Sequence, residues 1–126
     1  MIKPEAKQGN SADTHRALFE AKLAEMRPRF ARTVAERLTE LTQLRDGPSM
    51  QTDPYRALDK IRQSAHKTAG MATPMGFAEL GRLCIASETS VTDLLTVGLP
   101  TQESFAATLA AIDDMLNEMA RISAKT

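Results

Sequence analysis

His66 stands in the run Ala65-His66-Lys67-Thr68-Ala69-Gly70, inside what reads as an amphipathic helix, with Gly76-Phe77 a short way beyond. A neutral imidazole with one free nitrogen is a nucleophile near neutral pH. Glycine in an exposed helix interior costs roughly 1 kcal/mol relative to alanine, so stability gives no reason for Gly70. Room for a second molecule beside the histidine does give one. Lys67, next in sequence, and Arg62, one turn back, are the cations placed to soften negative charge on a group in transfer. His15 has no such glycine neighbour and reads as a spectator. Other chemistries lack their parts. The nearest carboxylate on this face is Asp59, two turns back, and Cys84 reads as buried, which is a poor start for a metal site. Thr68 points inward and no G-x-S-x-G is present, so a hydrolytic triad is not supported. No glycine-rich phosphate loop occurs either. Taken alone, an exposed helical histidine such as His66 is ordinarily a spectator, but its imidazole can still attack a phosphoryl group that another protein presents.

The elements that position this residue are all helices. Apolar side chains recur at steps of three and four at Phe19, Leu23, Met26, Phe30, Val34, Leu38, Leu41 and Leu44. Pro28 interrupts this stripe without shifting its phase, which predicts a kink or short break near Arg27 with both pieces on one core. Gly47-Pro48 ends the segment, and residues 47–53 read as a loop. Asp53 then caps a second helix with Pro54 at its first position. Its stripe is Tyr55, Leu58, Ile61, Ala65, Thr68 and Ala72, and it stops near Thr73 ahead of Pro74. A third stripe runs from Phe77 through Leu80, Cys84 and Val91 to Leu95, and Thr101 caps a last helix carrying Phe105, Ile112, Met119 and Ile122. Four or five amphipathic helices with short connections predict an all-α, antiparallel up-down four-helix bundle, with a short extra N-terminal helix or a kinked first helix. At 100° per residue His66 lies roughly 120° from the core direction of its helix, at the edge of the wet face. Arg62, Gln63, Ala69, Gly70 and Thr73 are its neighbours there, and they are the candidate partner contacts.

The chain has 126 residues, 42% hydrophobic, enough for one domain with a core of its own. Residues 1–12 read as a mobile tail and 13–126 as the helical domain. Sixteen basic and sixteen acidic residues leave no net charge, and aromatics are only 4%. Neither feature favours nucleic acid or an anionic membrane. One cysteine allows no internal disulfide, and neither a signal peptide nor a membrane-spanning run is evident. A cytoplasmic protein is the expectation.

His66, Gly70, Gly76, Phe77, Leu80 and Glu88 follow the order and spacing of the histidine-containing phosphotransfer (HPt) domains of bacterial phosphorelays, and the likeness covers the helical layout from Leu18 to Ile122. The chain therefore resembles that family. It departs from the family's pattern in two places: Ala69 stands where a lysine is usual, with Lys67 as its displaced counterpart, and Thr68 stands where leucine is commoner. The resemblance implies that His66 accepts a phosphoryl group from a kinase or a receiver-domain aspartate and passes it to a response-regulator receiver domain. It implies no nucleotide site, no cofactor or metal held by this chain, and Mg²⁺ supplied by the receiver. Such a chain is a phosphocarrier and not an enzyme in its own right. Sensor or hybrid histidine kinases and receiver domains are the implied partners, Phe77 falls on or near the docking surface, and a monomer is expected. Glu88 reads equally well as a solvated helix residue. The alternative reading is a helical docking module that binds a receiver or kinase without carrying phosphate. A helical domain of unrelated function, its seven methionines lining a groove, and a fragment of a hybrid kinase are weaker alternatives.

Overall fold

The computed structural model describes residues 4–125, which form five helices: α1 (Pro4–Asp46), α2 (Pro48–Thr52), α3 (Pro54–Ala72), α4 (Ala78–Thr96) and α5 (Gln102–Ala124). No strand occurs among the described residues. The four long helices close a ring, with α1 against α3 and α5, and α4 against the same two. The short connections make successive helices antiparallel. The apolar stripes meet inside this ring. Phe30, Val34 and Leu41 come from α1, Leu58, Ile61 and Ala65 from α3, Leu80, Cys84 and Val91 from α4, and Ile112, Met115 and Met119 from α5. The methionines that reach the core fill it as ordinary apolar side chains.

Local chemistry sets most helix ends. Asp53 Oδ1 accepts from the backbone N–H of Arg56 at 3.3 Å, the cap that its place before Pro54 predicts. Thr101 and Ser104 form a reciprocal capping box at the start of α5. Beyond α3, the Phe77 N–H donates to Ala72 O at 2.8 Å and the Gly76 N–H to Thr73 O at 3.1 Å. That pair of bonds is a Schellman closure, and it needs the left-handed backbone of Gly76 at φ +90°.

Two expectations about the first segment change. The helix α1 runs unbroken through Pro28, so of the kink or short break expected near Arg27 the break does not occur, and no separate N-terminal helix is present among the described residues. Instead Arg27 stays helical and its Nε donates to Met75 O at 2.8 Å, fastening α1 to the turn between α3 and α4. The segment 47–53, read as a loop, contains the single turn α2. Of the expected tail, residues 1–3 lie outside the described residues, and from Pro4 the backbone is already helical.

Polar groups inside the bundle are satisfied. Ser87 Oγ donates to Ala111 O at 3.0 Å, tying α4 to α5. Thr68 Oγ1 donates to Ser64 O and accepts from Arg37 Nη1, each at 2.8 Å, which ties α1 to α3. Arg45 grips Asp113 through two hydrogen bonds of 2.9 and 3.1 Å between α1 and α5. Buried polar groups cost free energy unless they are paired in this way.

Candidate functional site: an exposed histidine on the α3–α4 face

His66 sits midway along α3 with its side chain 72% exposed, and its Nδ1 lies 2.6 Å from Oε2 of Glu88 on α4, which is 24% exposed. An ionised carboxylate only accepts hydrogen bonds, so this contact places the imidazole proton on Nδ1. The lone pair of Nε2 is then free, and the tautomer is fixed by a neighbour rather than by chance. The sequence left Glu88 open between a solvated residue and a functional one. Here it is the hydrogen-bond partner of the histidine.

A second cross-contact fixes how the two helices lie. A Cβ built on Gly81 would come within 2.5 Å of Thr73 Oγ1, so the absent side chain is what lets α4 approach α3 so closely there. Thr73 is seven residues beyond His66 and Gly81 seven before Glu88, so one antiparallel register joins both contacts. The same register sets Ala69 across from Ile85, and Ile85 is 53% exposed. A Cβ on Gly70 would meet nothing within 4 Å, so no group among the described residues uses the space beside it. Ala69, Gly70 and Ile85 therefore form a low apolar shelf one turn from the imidazole.

The candidate cations differ in their freedom. Arg62 Nε and Nη2 hold Asp59 Oδ1 at 2.9 and 2.8 Å, and Gln63 Nε2 holds Oδ2 at 2.8 Å. The Arg62 hydrogen bond, helped by Gln63, keeps the Asp59 carboxyl below its ordinary range. Arg62 and Gln63 are thus engaged along their own helix. Lys67 makes no ion pair among the described residues, and it lines a shallow cleft between α1 and α3 with Arg37, Glu40 and Lys60. It flanks His66 on the side away from Glu88.

The structure gathers His66, Ala69 and Gly70 on one ridge, and sets Thr73 against Gly81 of α4. Phe77 is placed differently. It is half-buried at the head of α4, with its ring 5.5 Å from that of Phe30. The inward direction expected for Thr68 holds, and its hydroxyl meets Arg37 where an apolar side chain would meet none. Burial pushes the Cys84 thiol up to about 12, so it stays protonated in the core. Sequence reasoning missed Ile85, Gly81 and the link from Glu88 to His66. Each takes its place from a residue on the facing helix, which a periodicity along one helix does not show.

The Hpt domain family model matches residues 25–122 of the chain. No curated protein and no solved structure gives a match. The matched span holds the whole α3–α4 pair, the histidine on its exposed ridge and the core behind it, and on that match and that fold the chain belongs to the Hpt domain family.

Proposed function

We propose that this chain is a phosphorelay intermediate with His66 as its phosphoacceptor. Hpt domains serve phosphotransfer in two-component signalling as phosphocarriers, working with kinases and receiver domains. The observation that carries the reading is the pairing of an exposed imidazole with Glu88 through Nδ1. The Nε2 lone pair attacks the phosphorus of an aspartyl phosphate on a receiver. The phosphorus–oxygen bond breaks, and its electrons return to the aspartate carboxylate. The proton on Nδ1 stays in place, so the phosphorylated ring carries positive charge beside the Glu88 carboxylate. That stabilisation is modest and reversible, which suits a carrier that must hand the group on. Lys67 is the free cation on the other flank and softens charge on the phosphoryl oxygens. Mg²⁺ belongs to the receiver's acidic pocket in this reading, and the cytoplasm is where the partners meet the chain. No helix among the described residues is long and apolar enough to cross a membrane. The receiver rests on the shelf of Ala69, Gly70 and Ile85, with Arg62, Gln63 and Thr73 at its margin.

The test is transfer from a panel of phosphorylated receiver domains, or from kinase and ATP, to the wild type and to His66→Gln. Phosphate on the wild type alone, stable to alkali and labile to acid, is the expected result. The variant should melt near the wild type, because its side chain is exposed and loses one surface hydrogen bond. Receiver binding without transfer by the wild type would favour the docking module, and neither binding nor transfer would remove both readings.

A further inference from the structure

We propose that the cleft between α1 and α3 binds a diphosphate, an anion with charge at both of its ends. Thr68, which departs from the family's usual leucine, is fully buried, and its hydroxyl accepts from Arg37 Nη1 at 2.8 Å. A guanidinium has five N–H donors, so this one bond to a neutral group leaves most of them free. Arg37 makes no ion pair among the described residues, and it lines a cleft of ≈ 300 Å³. Lys60 and Lys67 line the same cleft from α3, and neither makes an ion pair among the described residues. One carboxylate of the lining, Glu40, faces these three cations. Elsewhere on the bundle Arg45, Arg62, Arg82 and Arg121 each sit on a carboxylate. Like charges gathered without partners repel, so the cleft is a place where an added anion gains.

The spacing of the cations sets the class of ligand. Lys60 and Lys67 are seven residues apart on α3, so about 10 Å separates them along the helix axis. Arg37 stands at the Lys67 end, where Thr68 holds it, and Leu44 of α1 stands at the Lys60 end. Positive charge therefore marks both ends of the cleft, with the buried Leu41 between them. A single-centred anion reaches one end, whereas a diphosphate has a phosphoryl group for each. The guanidinium fork of Arg37 suits a two-pronged contact with phosphoryl oxygens, and the lysines add point charges. No aromatic side chain lines the cleft, so a nucleobase finds no ring to stack on and the ligand is compact. Lys67 is also the cation that the phosphocarrier reading sets beside His66. It cannot serve two anions at full strength, so an occupied cleft slows phosphate acceptance. That consequence rests on the phosphocarrier reading, and the binding site does not.

Titration of the full chain with inorganic pyrophosphate, followed by amide NMR and calorimetry, tests the site. Saturable shifts should gather on the α1–α3 face around Arg37 and from Lys60 to Lys67. Arg37→Gln should weaken binding by about tenfold or more, the usual effect of losing a hydrogen bond to a charged group. Thr68→Val should weaken it less, and Thr68→Ser, which restores the hydroxyl, should keep the wild-type affinity. Sulfate should bind more weakly than pyrophosphate. Equal affinity for the two, or shifts spread over every basic side chain, would mean an adventitious ion only and overturn the proposal, as would the absence of saturable binding. Single-turnover transfer to His66, with Mg²⁺ in excess over pyrophosphate, reads the consequence: the wild type should slow and Arg37→Gln should not. Binding without slowing keeps the site and removes the shared role of Lys67. Pyrophosphate binding in a chain that accepts no phosphate from any donor strikes the phosphocarrier reading and leaves the site standing.

Discussion

Glu88 is the residue whose removal should tell most about the site. A hydrogen bond to a charged group contributes about 1.5–3 kcal/mol. Glu88→Ala should therefore slow phosphate acceptance by about 10- to 100-fold, with receiver binding little changed. Glu88→Gln, which keeps the contact and loses the charge, should fall between the two. Equal rates for wild type and Glu88→Ala in a single-turnover assay would reduce the contact to a surface ornament. Gly70→Leu should have the opposite signature, because its side chain would fill empty space and touch nothing in the chain. It should leave the melting temperature within a few degrees of wild type and block receiver binding in a pull-down or titration. His66 and Gly70 were legible in the sequence because their oddity is local: an exposed nucleophile, and a helical glycine with no reason of stability. Glu88 was legible as a motif residue but its bond to His66 was not, and Ile85 was not legible at all, because each takes its meaning from a residue on another helix. A periodicity places a side chain on its own helix but not across from a neighbour.

The same limit operates between elements. The ends of α3 and α5 were readable because Asp53 and Thr101 bond to backbone groups only three residues away. The path of α1 through Pro28 was not. Proline removes one intrahelical bond and crowds the preceding turn, but the cost is offset by contacts far off in sequence. Phe30 packs in the core just beyond it, and Arg27 just before it is fastened to Met75. Gly81 is the clearest case, a buried helical glycine whose reason is Thr73 on the facing helix. Gly81→Leu should force α3 and α4 apart and cost about 1–3 kcal/mol, as overpacking usually does. Thermal unfolding should report the loss, and transfer to His66 should fall with it, since the imidazole and Glu88 sit on the two helices being separated. Unchanged stability in Gly81→Leu would mean that the close approach at Thr73 is not what sets the hairpin.

Across the whole molecule the two halves of the ring divide the work. One face, built by α3 and α4, carries the exposed His66 imidazole, its partner carboxylate and the apolar shelf. The other, built by α1 and α5, carries the Arg45–Asp113 pair and the hold of Arg27 on Met75. The balance of sixteen positive and sixteen negative charges gave no hint of this division, because a net charge averages over both faces. The bundle as a class was plain from the stripes, since four apolar faces with short connections have few ways to bury one another. The hairpin of α3 and α4 is pinned at three places: the Schellman turn at Gly76, the Thr73–Gly81 approach and the His66–Glu88 bond. The ground on which a partner lands is thus already rigid before the partner arrives. Little conformational entropy is left on this side to be lost at the encounter, so even a small interface keeps most of its contact energy. For the phosphocarrier proposed above, a stiff hairpin means that a small contact area is enough for recognition.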